Sequence, residues 1–337
     1  MIEFGLSEEQ QELATTLRAL LDKRADSAAV RAAMAGESGY DDDLWRTLCE
    51  QIGVAALVVP EEQDGVGATL FEAAVAMEEL GRSLAPNPLL ATTIATAGLL
   101  LHGSDDARSD LLPRLAAGEV GTLVWDAPAG PGLVLDGAAA SIVLEIAGEE
   151  LRLLDDPTVT VRPALDPTLR LAEVTGTGRP VGRVDDDQPL RDLATALVTA
   201  LQLGCARRAL DMTVAYTQER VQFGRPIGSF QALKHRMADL LVLLEMTRSA
   251  SWAANGAASS YLQKPTAERA ATLHERATVA KAYCSDALAR IAGETIQLHG
   301  GIAITWEHDA HLVLKRAHAL GQLFGSAGKH RATVAGW

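Results

Sequence analysis

Residues 216–231 read YTQERVQFGRPIGSFQ, and the two flanks of this stretch decide the architecture. Upstream, residues 193–216 form one long apolar helical run. Downstream, Leu233, Met237, Leu240, Leu241 and Leu244 recur at i, i+4, i+7, i+8 and i+11, the stripe of a buried helix. Between the two runs Gly224, Arg225, Pro226 and Gly228 break the period, so two long helices meet at a tight connection. Arg220 stands just before the break, followed by Gln222 and Phe223. A guanidinium at a helix end, beside an amide and a ring, suits a phosphate-bearing planar ligand. The same arginine also fits plain dipole compensation or an ion pair.

The rest of the 337 residues bounds what such a pair of helices belongs to. The length allows two or three domains or one large layered unit. Hydrophobic residues make up 48% and aromatic ones 4%, so the core is Ala- and Leu-rich and favours helix packing. A net charge of −14 argues against nucleic-acid binding, which needs a basic footprint. Cys49, Cys205 and Cys284 are far apart, without metal or redox spacing, and read as buried thiols of a reducing compartment. No apolar run approaches the ~18 residues of a membrane span. The acidic start MIEFGLSEEQ lacks a secretory layout, so the expected location is cytoplasmic.

In order, Ser7 and Gln10 fit a capping box ahead of an apolar face at Leu13, Leu17, Leu20 and Leu21. A second helix is expected to begin at Asp41–Asp43 and to carry Leu44, Leu48 and Ile52 inward. GVAALVVPEEQDGVGAT reads as a loop, and the helix at 70–80 is expected to stop at Gly81 as its C-cap. Residues 89–101 and 105–117 add a buried and an amphipathic helix. From 121 the character changes to short β-rich runs at 122–125, 132–135, 140–146, 151–154, 159–161 and 169–174, punctuated by turn residues such as Asp155-Asp156-Pro157. Asp185-Asp186-Asp187 is an acidic linker. Beyond it, helices are expected at 190–218, 230–261, 266–293 and 311–321, with a short one at 294–298, a pattern that fits a helix bundle. The fold class is mainly α with a small β middle domain, divided 1–118, 119–184 and 185–337.

A second motif block, ETIQLHGGIAITWEHDAHLVLKRA, pairs Gly300 and Gly301, whose backbone can approach a ligand closely, with Gln297 one turn earlier. A bare helix stop would explain the glycines as well. His299, His308, His311 and His318 cluster here, but nothing matches HExxH spacing, and no metal is expected.

The string ERVQFGRPIGSFQALKHRMADL closely resembles the arginine–QFG–x–PI…FQ…ADM signature of acyl-CoA dehydrogenases, and the QLHGG block resembles their Q–x–x–GG motif. The segment IGVAALVVPEEQDGVGATLFEAAVAMEELGRSLAPNP is similar to the family's N-terminal helical domain, with Asp64 in place of the first of two paired glycines. The resemblance implies an N-terminal helical domain, a reduced β-barrel and a C-terminal four-helix bundle. It also implies FAD, an acyl-CoA thioester oxidised at its α,β-carbons, and electron-transferring flavoprotein as acceptor. Carried over position by position, it makes Arg220, Gln222 and Phe223, then Phe230 and Gln231, then Gln297, Leu298, Gly300 and Gly301, and finally Ser326, the flavin-contacting set. Arg220, Gln297 and Gly301 would serve the flavin of a neighbouring subunit. The middle stretch departs most: residues 125–130, WDAPAG, are a remnant of the loop that holds the flavin ring, and the family's tryptophan–isoleucine–threonine strand is not visible.

The reaction requires a carboxylate against the substrate α-carbon. Counting from Lys315-Arg316-Ala317, one of the family's two glutamate positions falls on Phe324; counting back from Gly204, the other falls on Ala194. Neither side chain takes a proton. The chain therefore resembles the base-lacking partner in heterotetramers of short actinobacterial acyl-CoA dehydrogenases of steroid and cholesterol side-chain breakdown. The alternatives are a homo-oligomer with a displaced base, Asp192 or Glu307, and a flavin-free scaffolding paralogue. Dipole capping is the other reading of Glu307.

Overall fold

The computed structural model describes residues 5–125 and 133–336. It opens with α1 (Glu8–Arg24), whose capping box has Ser7 Oγ accepting from Gln10 N–H while Ser7 N–H donates to the Gln10 side chain. Next comes α2 (Ser27–Ala35), begun by Asp26, whose carboxylate accepts from Ala29 N–H. The periodicity does not announce this helix, because only Val30 and Ala33 of its residues are buried. The helix expected at Asp41–Asp43 is therefore the third, α3 (Asp42–Thr47), which passes into a π-turn at Leu48–Ile52. Then follow α4 (Leu70–Ser83), α5 (Leu89–His102) and α6 (Asp105–Ala116).

The middle of the chain is a five-stranded sheet of β1 (Gly121–Trp125), β2 (Leu133–Leu135), β3 (Ile142–Ala147), β4 (Glu150–Arg162) and β5 (Leu171–Arg183), in the order β1-β3-β4-β5-β2. Only β1 and β3 run parallel. The sheet curls until its edges meet, where Thr122 Oγ1 donates to Leu135 O at 2.7 Å. Val124, Val134, Val143, Leu154, Ala172 and Val174 fill the space inside it. Two expected runs, 151–154 and 159–161, fuse into β4. The turn expected at Asp155-Asp156-Pro157 is instead a bulge, with a register shift between Asp155 and Thr158 and Asp156 at φ 48°. The run expected from 169 starts at Leu171 and continues to Arg183, carried by its ladder to β4.

The helical remainder consists of α7 (Gln188–Glu219), a small hairpin of β6 (Val221–Gln222) and β7 (Arg225–Pro226), α8 (Gln231–Gln263), α9 (Ala267–His299), α10 (Ala310–Gln322) and α11 (Ala327–Ala335). Over its first two-thirds α7 is buried on nearly every face, as expected of a helix apolar all round. Its hydroxyls are satisfied within the bundle: Thr199 Oγ1 meets Ser251 Oγ at 3.0 Å, and Thr213 Oγ1 meets Thr295 Oγ1 at 3.0 Å.

Paired glycines let α4 and α7 touch backbone to backbone. A Cβ on Gly81 would lie 2.5 Å from Leu201 O, and one on Gly204 would lie 1.9 Å from Glu78 O. Gly81 is thus a packing glycine inside α4 and not the expected C-cap; the helix ends at Leu84, which takes the left-handed conformation at φ 60°. Gly293 likewise does not end α9. Burial of Ile291, Ala292, Thr295 and Leu298 around it outweighs the ~1 kcal/mol cost of a mid-helix glycine. Leu241, read as part of the buried stripe of α8, is 49% exposed; Leu240 and Leu244 face inward, and Leu241, Val242 and Met246 face out.

Candidate functional site

The residues singled out in the sequence fall into two places. The first is the end of the bundle where α7 and α9 finish together. Tyr216 stacks on His299 with ring centroids 4.4 Å apart, and His308 packs against both rings, which fixes the two helix ends side by side. Burial pushes the His299 and His308 pKa values down, so both imidazoles are neutral at pH 7. Beyond this stack the surface is open. Arg220 is the C-cap of α7, its N–H bonded to Tyr216 O, and its guanidinium is exposed with no ion pair among the described residues.

The hairpin then presents Gln222 and Phe223 to solvent. Phe223 is 91% exposed at φ 52°, edge-on to Phe230, whose ring carries the Arg225 guanidinium at 4.0 Å. Gln231 is exposed at the start of α8. Across from the hairpin, Gln297, Gly300 and Gly301 are exposed at the end of α9. Gly300, at φ 65° and ψ −143°, occupies backbone space that suits glycine, and a Cβ on either glycine would meet nothing within 4 Å. The backbone there is free to meet a ligand from outside. Leu298, by contrast, is buried in the bundle, and Ser326 lies elsewhere as the N-cap of α11, accepting from Lys329 N–H at 3.3 Å.

The second place is a cavity between α5, β1, β2 and the turn after α10. Its volume is about 120 Å³, and Ile94, Thr122, Trp125, Leu133, Leu323 and Phe324 are among its walls. That is well below the ~300–1,000 Å³ of ordinary ligand pockets. Trp125 and Phe324 meet edge to face at 5.5 Å, and the Arg191 guanidinium lies 5.3 Å from the Trp125 ring centre. The Trp125 indole N–H is buried without a hydrogen-bond partner among the described residues. Among the described residues no ionisable side chain lines the cavity. The remnant loop after Trp125, at 126–130, lies outside the described residues, as does the start of the β run at 132.

Ala194 is fully buried within α7. Asp192 is buried, with Oδ2 2.9 Å from His274 Nδ1 and Oδ1 accepting from Gln188 Nε2 at 2.9 Å; burial raises its pKa, and it does not reach the cavity. Glu307 is exposed near the start of α10, also away from the cavity.

Two features carry no sequence motif. Arg191 is found only once the fold brings it over Trp125. Lys281 is wholly buried on the inward stripe of α9, between Ala277 and Cys284, and a lysine on an apolar stripe is a signal the sequence does contain. Among the described residues no group of three His, Cys, Asp or Glu side chains could hold a metal, and no helix is long and apolar enough to cross a membrane.

A helical front, a small curled sheet and a long-helix bundle, with an exposed Arg–Gln–Phe hairpin beside a Gln–x–x–Gly–Gly helix end, make up the three-part fold of an acyl-CoA dehydrogenase. The chain belongs to the acyl-CoA dehydrogenase family of oxidoreductases: the family's N-terminal domain model matches residues 7–119 and its C-terminal domain model matches residues 193–337. It is 47% identical over 322 residues to acyl-CoA dehydrogenase IpdE2 of Mycolicibacterium smegmatis, covering 95% of this chain and 96% of that one. Among solved structures it is similar to a variant of the Tcur3481–Tcur3483 steroid ACAD, with TM-score 0.85, 26% identity and 97% of each chain covered. The ChsE4-ChsE5 complex from Mycobacterium tuberculosis, at TM-score 0.85 and 24% identity over 99% of this chain and 98% of that one, shares the fold.

Proposed function

We propose that this chain is the base-lacking subunit of a mixed acyl-CoA dehydrogenase tetramer, in which it completes the FAD site of a glutamate-bearing homologous partner. The observation that carries this reading is the cavity itself: Phe324, at a position where the family resemblance would put a base, packs on Trp125 in about 120 Å³ with no carboxylate in the walls among the described residues. Neither Asp192 nor Glu307 supplies one, since both lie away from the cavity. The bundle end supports the complementary half. Arg220 would pair with the pyrophosphate, Gln222, Phe223, Phe230 and Gln231 would flank it, and Gln297, Gly300 and Gly301 would meet the ADP portion, all from outside this chain's own core. Leu298 would set the position of Gln297 from the core side, and Ser326 would hold the turn after Phe324.

The reaction is α,β-dehydrogenation of an acyl-CoA thioester, with electrons passing on to electron-transferring flavoprotein. FAD, when bound, accepts the β-hydrogen as hydride. The partner's carboxylate takes the α-proton; this chain's part is to hold the cofactor by charge and backbone contact. Similarity to a steroid acyl-CoA dehydrogenase supports a bulky, steroid-derived acyl group as substrate. The complex would work in the cytoplasm, where buried Cys49, Cys205 and Cys284 remain thiols.

The test is a flavin count on the chain alone and co-expressed with a glutamate-bearing paralogue. Little flavin alone, and about one FAD per two chains in the complex, is the expected result. One FAD per chain in the chain alone would replace this reading with a self-sufficient homo-oligomer.

A further inference from the structure

The turn that closes the cavity is strained, and its strain has an identifiable restraint. Phe324 and Gly325 are consecutive left-handed residues, at φ 54° and φ 107°. A bulky residue at positive φ persists where the surroundings over-determine it. Three polar side chains converge on the carbonyls on either side. The Lys281 ammonium, from the middle of α9, donates to Leu320 O at 2.8 Å, to Gly321 O at 3.1 Å and to Ser285 Oγ at 3.1 Å. Gln202 Nε2, from α7, donates to the same Leu320 O at 3.3 Å and to Ser285 Oγ at 3.0 Å. His330 Nε2, from α11, meets Phe324 O at 3.0 Å.

Lys281 is 0% exposed, and no carboxylate pairs with it among the described residues. A buried ammonium without a counter-ion is costly and requires all its donors to be met. Here they are met by the last carbonyls of α10, where the helix dipole also favours a cation. The placement goes beyond packing, because an apolar residue would fill the same stripe of α9 without tying it to the end of α10.

We propose that Lys281 is the positioning residue of the 321–325 turn, clamping the end of α10 so that Phe324 is held against Trp125 and the cavity stays closed. The Lys281 donors fix the carbonyls entering the turn, and His330 fixes the one at its centre. Arg191 holds the opposite wall by lying over Trp125. Loss of the clamp releases Phe324 to a relaxed backbone conformation and exposes the Trp125 ring. The proposal extends the reading above, in which Phe324 replaces a base. Its readout is the Trp125 environment and needs neither flavin nor activity, so it stands or falls separately from the flavin count.

The experiment compares Lys281→Met with the unmutated chain, in the assembly in which the chain purifies, by acrylamide quenching of tryptophan fluorescence. Both are also made in a Trp125→Phe background. With Trp125 present, Lys281→Met should raise the Trp125 share of the quenching constant roughly twofold or more, as a half-buried ring becomes exposed; in the Trp125→Phe background the rise should vanish. Phe324→Ala should reproduce the effect with Lys281 intact. A rise that persists without Trp125, or none at all, overturns the assignment and leaves Lys281 a general packing residue. If Lys281→Met does not fold, hydrogen exchange on the unmutated chain decides. Amides at 322–325 protected as well as those of α10 support the clamp, and a turn that exchanges freely beside a protected α10 overturns it.

Discussion

The end of the bundle and the cavity under β1 are opposite outcomes of one fold. At the bundle end, Arg220, Gln222, Phe223, Gln297 and the paired glycines face solvent. At the cavity, Trp125, Phe324 and Leu323 line the walls, with no charged group among the described residues there and little volume left. On the proposed function, a self-sufficient dehydrogenase would need both places open, one for its neighbour's cofactor and one for its own. On the same proposal, capacity to bind in trans would be kept while capacity to bind in cis is filled in, because the two places are built from different elements. The donor surface rests on helix ends and a hairpin, whereas the cavity depends on a strand, a turn and the helix behind it.

The largest expected effect tests whether the closed region is anchored. Arg316 of α10 is buried with Asp166, Nε to Oδ2 at 2.6 Å, and also donates to Thr168. Arg316→Met would strand a fully buried carboxylate and should cost ~3–5 kcal/mol in urea denaturation. A loss under ~1 kcal/mol would break the view of α10 as a fixed wall. Next, Arg220→Ala should leave stability within ~0.5 kcal/mol, since the exposed side chain has no ion-pair partner among the described residues. It should weaken FAD retention in the complex by ~1.5–3 kcal/mol, roughly 10- to 100-fold, measured by flavin released on dilution. Unchanged retention would remove the bundle end from the cofactor site.

A smaller effect concerns pH. Burial pushes Asp136, at the end of β2, up to about 7 despite the nearby Arg316 and Arg170 guanidinium groups. Its folded pKa lies above the unfolded value of 3.8, so its contribution favours the fold at about pH 4 and is lost as pH rises through about 7. The slope is at most ~1.4 kcal/mol per pH unit. Asp136→Asn should flatten this part of the stability–pH curve; an unaltered curve would mean that the carboxylate ionises freely beside the cavity wall.

Much of this was legible in the sequence because it is local. The helix–break–helix pattern around 216–231, the capping box at Ser7 and Gln10, and the change to β-rich runs at 121 each rest on periodicity or on a few adjacent residues, and each element is present. The failures share one cause. Gly81 and Gly293 look like helix stops, yet whether a glycine ends a helix depends on what packs beside it; Leu201 needs the space at Gly81, and the burial around Gly293 carries α9 through. Leu241 sits in a leucine-rich stretch that carries apolar residues on two faces, and only the packing of α7 and α9 decides which face turns inward.

By itself, the sequence determined the type of nearly every element and the family, since periodicity and long gapless motifs carry those facts. Only the tertiary structure decided that Phe324 closes on Trp125 beneath Arg191, that Lys281 reaches the end of α10, and that Arg220 has no ion-pair partner among the described residues. These are contacts, or missing contacts, between side chains far apart in sequence, and no local pattern encodes where a buried charge or an exposed one finds its partner.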